Sequence, residues 1–135
     1  MKKTKKKFRF IVEKTRTGFS AYSDIHPVFT TGKTLTELNS NMLEAINFYL
    51  EEEELLAGPE NIVLEIDLKQ FFEYYRVINA KFLAERIGMN ETLLSQYVKG
   101  RKKPSRHQVE RILKGINEIG IELSELSLVI RDPEK

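Results

Sequence analysis

Of the seven cations between positions 81 and 106, six, Lys81, Lys99, Arg101, Lys102, Lys103 and Arg106, flank a polar set of Glu91, Thr92, Ser95 and Gln96. Ammonium and guanidinium groups neutralise phosphates, whereas hydroxyl and amide side chains reach the hydrogen-bonding edges of bases. Thr92, Ser95 and Gln96 stand three and four residues apart, so a helix would carry them on one face. Glu91 repels phosphate but can accept from a cytosine amino group. The six cations are therefore candidate phosphate contacts on double-stranded DNA. The four polar residues are candidate base contacts.

No competing chemistry emerges elsewhere. His26 stands before a proline and His107 near the start of a helix, neither with a second base or ligand at a telling spacing. A metal-dependent nuclease gathers several carboxylates around two ions; Glu13, Asp24 and Asp67 are scattered candidates for that. The seven glycines form no phosphate-cradling pattern, and there is no cysteine. No catalytic residue, metal or cofactor is expected, and the reading is not an enzyme.

Two short helices must position the polar face. Asn79 to Ile87 reads as the first, closed by Gly88, and Asn90 to Lys99 as the second, capped by Asn90 and closed by Gly100. Closely crossing helices need a small residue at the contact, which Ala84 supplies. Their tight turn needs tolerance of positive φ, which Gly88 supplies. Leu94 and Tyr97 pack the second helix back on the first. The loop from Arg101 to Ser105 is basic, and Ser105 with Gln108 makes a capping box for a last helix that turns Val109, Ile112, Leu113 and Ile116 inward. The apolar tail of Leu123, Leu126, Leu128 and Ile130 has no clear period and is a candidate dimerisation element.

The preceding part has strand periodicity. Phe8, Phe10 and Val12 alternate with polar residues, Thr15 to Gly18 reads as a turn, and Phe19, Ala21, Ser23 and Ile25 share one face of a second strand. Val28 to Thr31 reads as a third. Thr34 and Glu37 form a capping box for a helix through Leu50 whose apolar stripe is Leu35, Leu38, Met42, Ile46 and Tyr49. Ile62, Leu64 and Ile66 then mark a fourth strand. Asp67 with Gln70 caps a further helix with Leu68, Phe71, Phe72 and Tyr75 on one side. The expected class is α+β, with β-β-β-α-β in residues 1–66 and an all-α part in 67–135.

Across 135 residues the net charge is only +2, but it is segregated. Residues 1–9 hold six cations and no acid. Residues 10–78 hold twelve acids against five bases, and residues 79–106 seven bases against two acids. An acidic body joined to a basic module suggests partners of opposite sign. Glu51 to Glu54 follow a helix C-terminus, where each opposes the macrodipole by about 0.3–1 kcal/mol before screening. No apolar run approaches the ~18 residues of a membrane span, and the basic start lacks the apolar stretch of a secretory signal, so the cytoplasm is the expected compartment.

Residues 79–105 resemble the helix-turn-helix of the lambda-repressor-like family. The residues that carry this are Leu83-Ala84, Ile87-Gly88, Leu94-Ser95-Gln96-Tyr97, Gly100 and Lys103-Pro104-Ser105. The first part, with Phe8 to Glu13, Gly18-Phe19-Ser20-Ala21 and Val28 to Leu35, followed by such a motif, resembles the HicB antitoxin family. That resemblance implies a degenerate ribonuclease-H-like domain over 1–66 that covers a small mRNA-cleaving HicA-like toxin. It also implies a DNA-binding domain over 67–135 that represses its own operon as a homodimer or higher even oligomer. The alternative is a free-standing repressor whose first domain senses a small ligand.

Overall fold

The computed structural model describes residues 2–129 and is of the α+β class. The chain forms two compact units that divide between Tyr74 and Tyr75.

In the first unit, β2 (Phe8–Lys14), β3 (Phe19–Ser23), β4 (Phe29–Gly32) and β6 (Ile62–Ile66) make a four-stranded sheet of order β4-β3-β2-β6. The β2–β3 and β3–β4 pairs are antiparallel, and β6 runs parallel to β2 with Phe8 opposite Ile62. The parallel pair requires a crossover, and α1 (Leu35–Leu50) supplies it. Phe8, Phe10, Val12 and Ala21 meet Leu38, Met42, Ile46 and Leu50 in one buried cluster. Burying each large aliphatic of that stripe stabilises the unit by about 1.5–3 kcal/mol.

The stripe of α1 differs from the expected one. It recurs every four residues from Leu38 to Leu50, while Leu35 and Tyr49 lie at its margins and are exposed. Ile25 is likewise not on a strand face: β3 ends at Ser23, and Ile25 sits exposed in the bend before Pro27. His26 in that bend packs between the rings of Phe8 and Tyr49, at 5.4 and 5.3 Å.

Two further strands carry no periodicity and were not expected from the sequence. β1 (Lys2–Lys3) pairs in parallel with β5 (Leu55–Leu56). The lysine-rich segment is held down by Asn61, which is only 3% exposed. Its amide donates to the carbonyls of Thr4 and Lys6 at 3.2 and 2.9 Å, and its Oδ1 accepts from the Gly58 amide at 2.9 Å. Between α1 and β5, Glu51 to Glu53 form a 3-10 turn, and Glu54 takes a left-handed φ of 55°.

The units divide beyond Asp67, where the sequence changes period, because α2 (Leu68–Tyr74) belongs to the sheet. Gln70 acts as an extra strand residue: its Nε2 donates to the Lys14 carbonyl at 2.6 Å and its Oε1 accepts the Lys14 amide at 2.9 Å. The Lys14 ammonium lies 5.5 Å from the Tyr74 ring centre. Leu68 and Phe72 are buried, whereas Tyr75 lies outside the helix.

The second unit contains α3 (Ala80–Ile87), α4 (Glu91–Val98) and α5 (Arg106–Glu125). Ile130 of the expected apolar tail lies outside the described residues. Among those described, no helix is long and apolar enough to cross a membrane.

Candidate nucleic-acid interface

α3 and α4 each begin with an asparagine cap. Asn79 Oδ1 accepts from the Phe82 amide at 3.2 Å, and Asn90 Oδ1 from the Leu93 amide at 3.0 Å. Such caps satisfy an otherwise orphaned donor and are worth ~1 kcal/mol each. Between the helices Gly88 takes φ 69° and donates to the Glu85 carbonyl, and Met89 donates to that of Ala84. A Cβ at Gly88 would meet nothing within 4 Å among the described residues, so it is the positive φ that favours glycine there.

Ala84 and Leu94 are fully buried, and Leu83, Met89, Tyr97 and Ile112 are buried as well, with α3 packed against both α4 and α5. α4 is thereby seated by its inner residues. Its other face carries Glu91 and Thr92, both exposed, with Ser95 and Gln96 half-buried behind them. The four candidate base contacts thus share the outward side of one helix, and the two nearest its N-terminus reach furthest into solvent.

The loop after α4 folds back on it. The amides of Arg101 and Lys102 both donate to the Gln96 carbonyl, at 2.9 and 3.3 Å. This wraps Gly100, at φ 73°, around the helix end and leaves the side chains of Lys99, Arg101, Lys102 and Lys103 exposed. Ser105 caps α5 by accepting from the Gln108 amide at 3.2 Å. The reciprocal half of the expected box is replaced: Gln108 Oε1 accepts from Arg111 at 2.9 Å instead. Arg106 is exposed at the first turn of α5 with Glu110 as a partner at 3.3 Å, and Lys81 is exposed on α3.

None of the family models, curated proteins or solved structures compared with the chain matches it.

Two residues that fix this arrangement escaped the sequence reading. Arg111, on α5, donates through Nη2 to the carbonyls of Ile87 and Gly88, at 3.0 and 3.2 Å. These are C-terminal carbonyls of α3 that the helix leaves unpaired, and a cation there also matches the macrodipole. No local pattern marks that role. Gly115 is buried, and a Cβ built on it would stand 2.3 Å from Ile87 Cγ2. An isolated glycine within a helical pattern is a recognised sign of close approach, so Gly115 carried a usable signal.

The carboxylates of the first unit do not assemble comparably. Among the described residues no three His, Cys, Asp or Glu side chains come together to hold a metal. Asp24 is tied to Arg9 at 3.0 Å. Glu13 and Asp67 lie close enough to Tyr22 that, after desolvation, their charges raise its phenol pKa above the ordinary value.

Proposed function

We propose that the protein is a sequence-specific DNA-binding repressor of the lambda-repressor-like kind and acts as a HicB-like antitoxin. On this reading α4 is the recognition helix. Thr92, Ser95, Gln96 and Glu91 read base edges in the major groove, and Lys81, Lys99, Arg101, Lys102, Lys103 and Arg106 grip phosphates. The observation that carries it is the polarity of α4: Leu94 and Tyr97 are buried while Glu91 and Thr92 are exposed, and the helix runs at its C-terminal end into an exposed basic loop whose Arg101 and Lys102 amides bond back to Gln96. A helix used only for packing has no need of an exposed cationic loop at its end.

The antitoxin half rests on the resemblance of the first unit and on its acidity. A protein that grips RNA must be basic, and residues 10–78 carry a net −7 from twelve acids and five bases. The chain order β2-β3-β4-α1-β6 of the main sheet suits a degenerate ribonuclease-H-like domain. A homodimer in the cytoplasm would place two recognition helices in half-sites about 34–36 Å apart.

Co-expression with the product of a neighbouring short toxic gene tests the antitoxin half. Growth should be rescued, and the rescued complex should bind the DNA upstream of both genes. Continued toxicity removes the antitoxin reading. Equal affinity for that DNA and for random duplex removes the repressor.

A further inference from the structure

β4 is the outermost strand of its sheet, paired with β3 on one side. The direction of its backbone groups follows from two hydrogen bonds. Val28 O accepts from the Ser23 amide at 2.9 Å and so points towards β3. Thr31 O accepts from Asn41 Nδ2 of α1 at 2.8 Å and so points away from it. Directions alternate along a strand, so the amide and carbonyl of Phe29 and the amide of Thr31 face out of the sheet edge. Such an edge is a template for a further strand.

The same edge borders an open groove against the second half of α1. Phe29, Ala45 and Phe48 form apolar wall, with Phe29 and Phe48 exposed by 65% and 80%. Glu44, Glu51 and Glu52 rim it. None of these three carboxylates pairs with a cation among the described residues. Backbone donors and acceptor, large aromatic surface and unneutralised charge therefore converge on one groove.

We infer that this groove docks an extended, lysine- or arginine-rich segment of a protein partner, which adds to the sheet beside β4. Main-chain bonds to Phe29 and Thr31 hold the segment, its apolar residues cover Phe29 and Phe48, and its cations meet Glu44, Glu51 and Glu52. The protein's own lysine-rich segment is committed elsewhere, since the Lys2 and Thr4 amides donate to Glu54 and Leu56 and Asn61 holds the Thr4 and Lys6 carbonyls. A second copy paired edge to edge would bring a second set of the same glutamates, so charge favours a foreign basic segment. The inference deepens the reading of the first unit as a protein-binding module.

The test uses the full chain and a labelled synthetic peptide alternating lysine with valine, followed by fluorescence anisotropy at several salt concentrations. Binding should weaken with salt and should slow hydrogen exchange at the Phe29 and Thr31 amides. It should fall about tenfold or more in the triple variant E44K/E51K/E52K, and similarly for a peptide N-methylated at alternate residues, which cannot pair as a strand. Undiminished binding of the N-methylated peptide, equal binding of a glutamate–valine peptide, or no binding at all would overturn the inference. Sedimentation showing that the edge is covered by a second copy would overturn it too. The antitoxin reading has its own separate readout, growth rescue, so each can fail while the other stands.

Discussion

Arg111 reaches across from α5 to donate to the Gly88 carbonyl at 3.2 Å, and through the same Nη2 to Ile87 at 3.0 Å. A long-range side chain thus closes the turn whose conformation Gly88 permits. Arg111→Ala should cost about 1–3 kcal/mol in the second unit, because a partly buried charged donor to two carbonyls is lost. Hydrogen exchange of α3 and α4 amides in the full chain measures this. Arg111→Lys should recover only part of it, since a point charge cannot span both carbonyls and Gln108 Oε1 as the guanidinium does. Full recovery by lysine would show that charge alone matters.

Two glycines of α5 offer an internal contrast. Gly115→Ala forces Cβ against Ile87 and should destabilise the unit, because overpacking of about 1–3 kcal/mol outweighs the ~1 kcal/mol gain in helix propensity. At Gly120 nothing among the described residues lies within 4 Å of an added Cβ, so Gly120→Ala should stabilise by about 0.5–1 kcal/mol. Denaturant unfolding of the two variants should shift the midpoint in opposite directions. A stabilised Gly115→Ala would contradict the close α3–α5 packing.

Base reading and phosphate grip separate under salt. Alanine at Lys99, Arg101, Lys102 or Arg106 should weaken binding to every duplex and flatten the slope of log K against log salt by about 0.9 per lost contact. Gln96→Ala should leave that slope in place and cost about 1–3 kcal/mol of discrimination between operator and random DNA. A uniform loss on both duplexes would strip Gln96 of its reading role.

The Glu60 carboxyl is held below the usual carboxylate range, first by its hydrogen bond to Lys3. A depressed folded value means the contact contributes above the unfolded pKa and is lost as pH falls through the folded one. Carboxyl NMR titration should therefore place Glu60 lower in the wild type than in Lys3→Ala. An identical titration would show that the ion pair does not form in solution.

Much of this structure was legible because periodicity and local chemistry agree where an element is long. Phe8, Phe10 and Val12 alternate and line the sheet core; Asn79, Asn90 and Ser105 cap as their types dictate. At the candidate interface, the buried Ala84, Leu94 and Tyr97 and the exposed Thr92 followed from helical spacing. What escaped depends on contacts distant in the chain. Arg111 acts on residues 23 and 24 positions away. Gln70 imitates a strand backbone 56 residues from its partner, so the units divide after α2 although the period changes at Asp67. β1 and β5 are two residues each, too short to show alternation. Ile25 lies off the strand although the alternation of residue types continues past Ser23, because the bend before Pro27 ends β3 there.

The hold of Asn61 on Thr4 and Lys6 has a practical result for a stretch that would otherwise invite trypsin. A protease needs the backbone of its target drawn out into its cleft, and here the carbonyls around Lys5 are engaged by a buried amide. Cleavage among these lysines must wait for local opening, so its rate gauges how often that corner of the molecule comes undone. Asn61→Ala should turn a resistant amino-terminal segment into the first site cut.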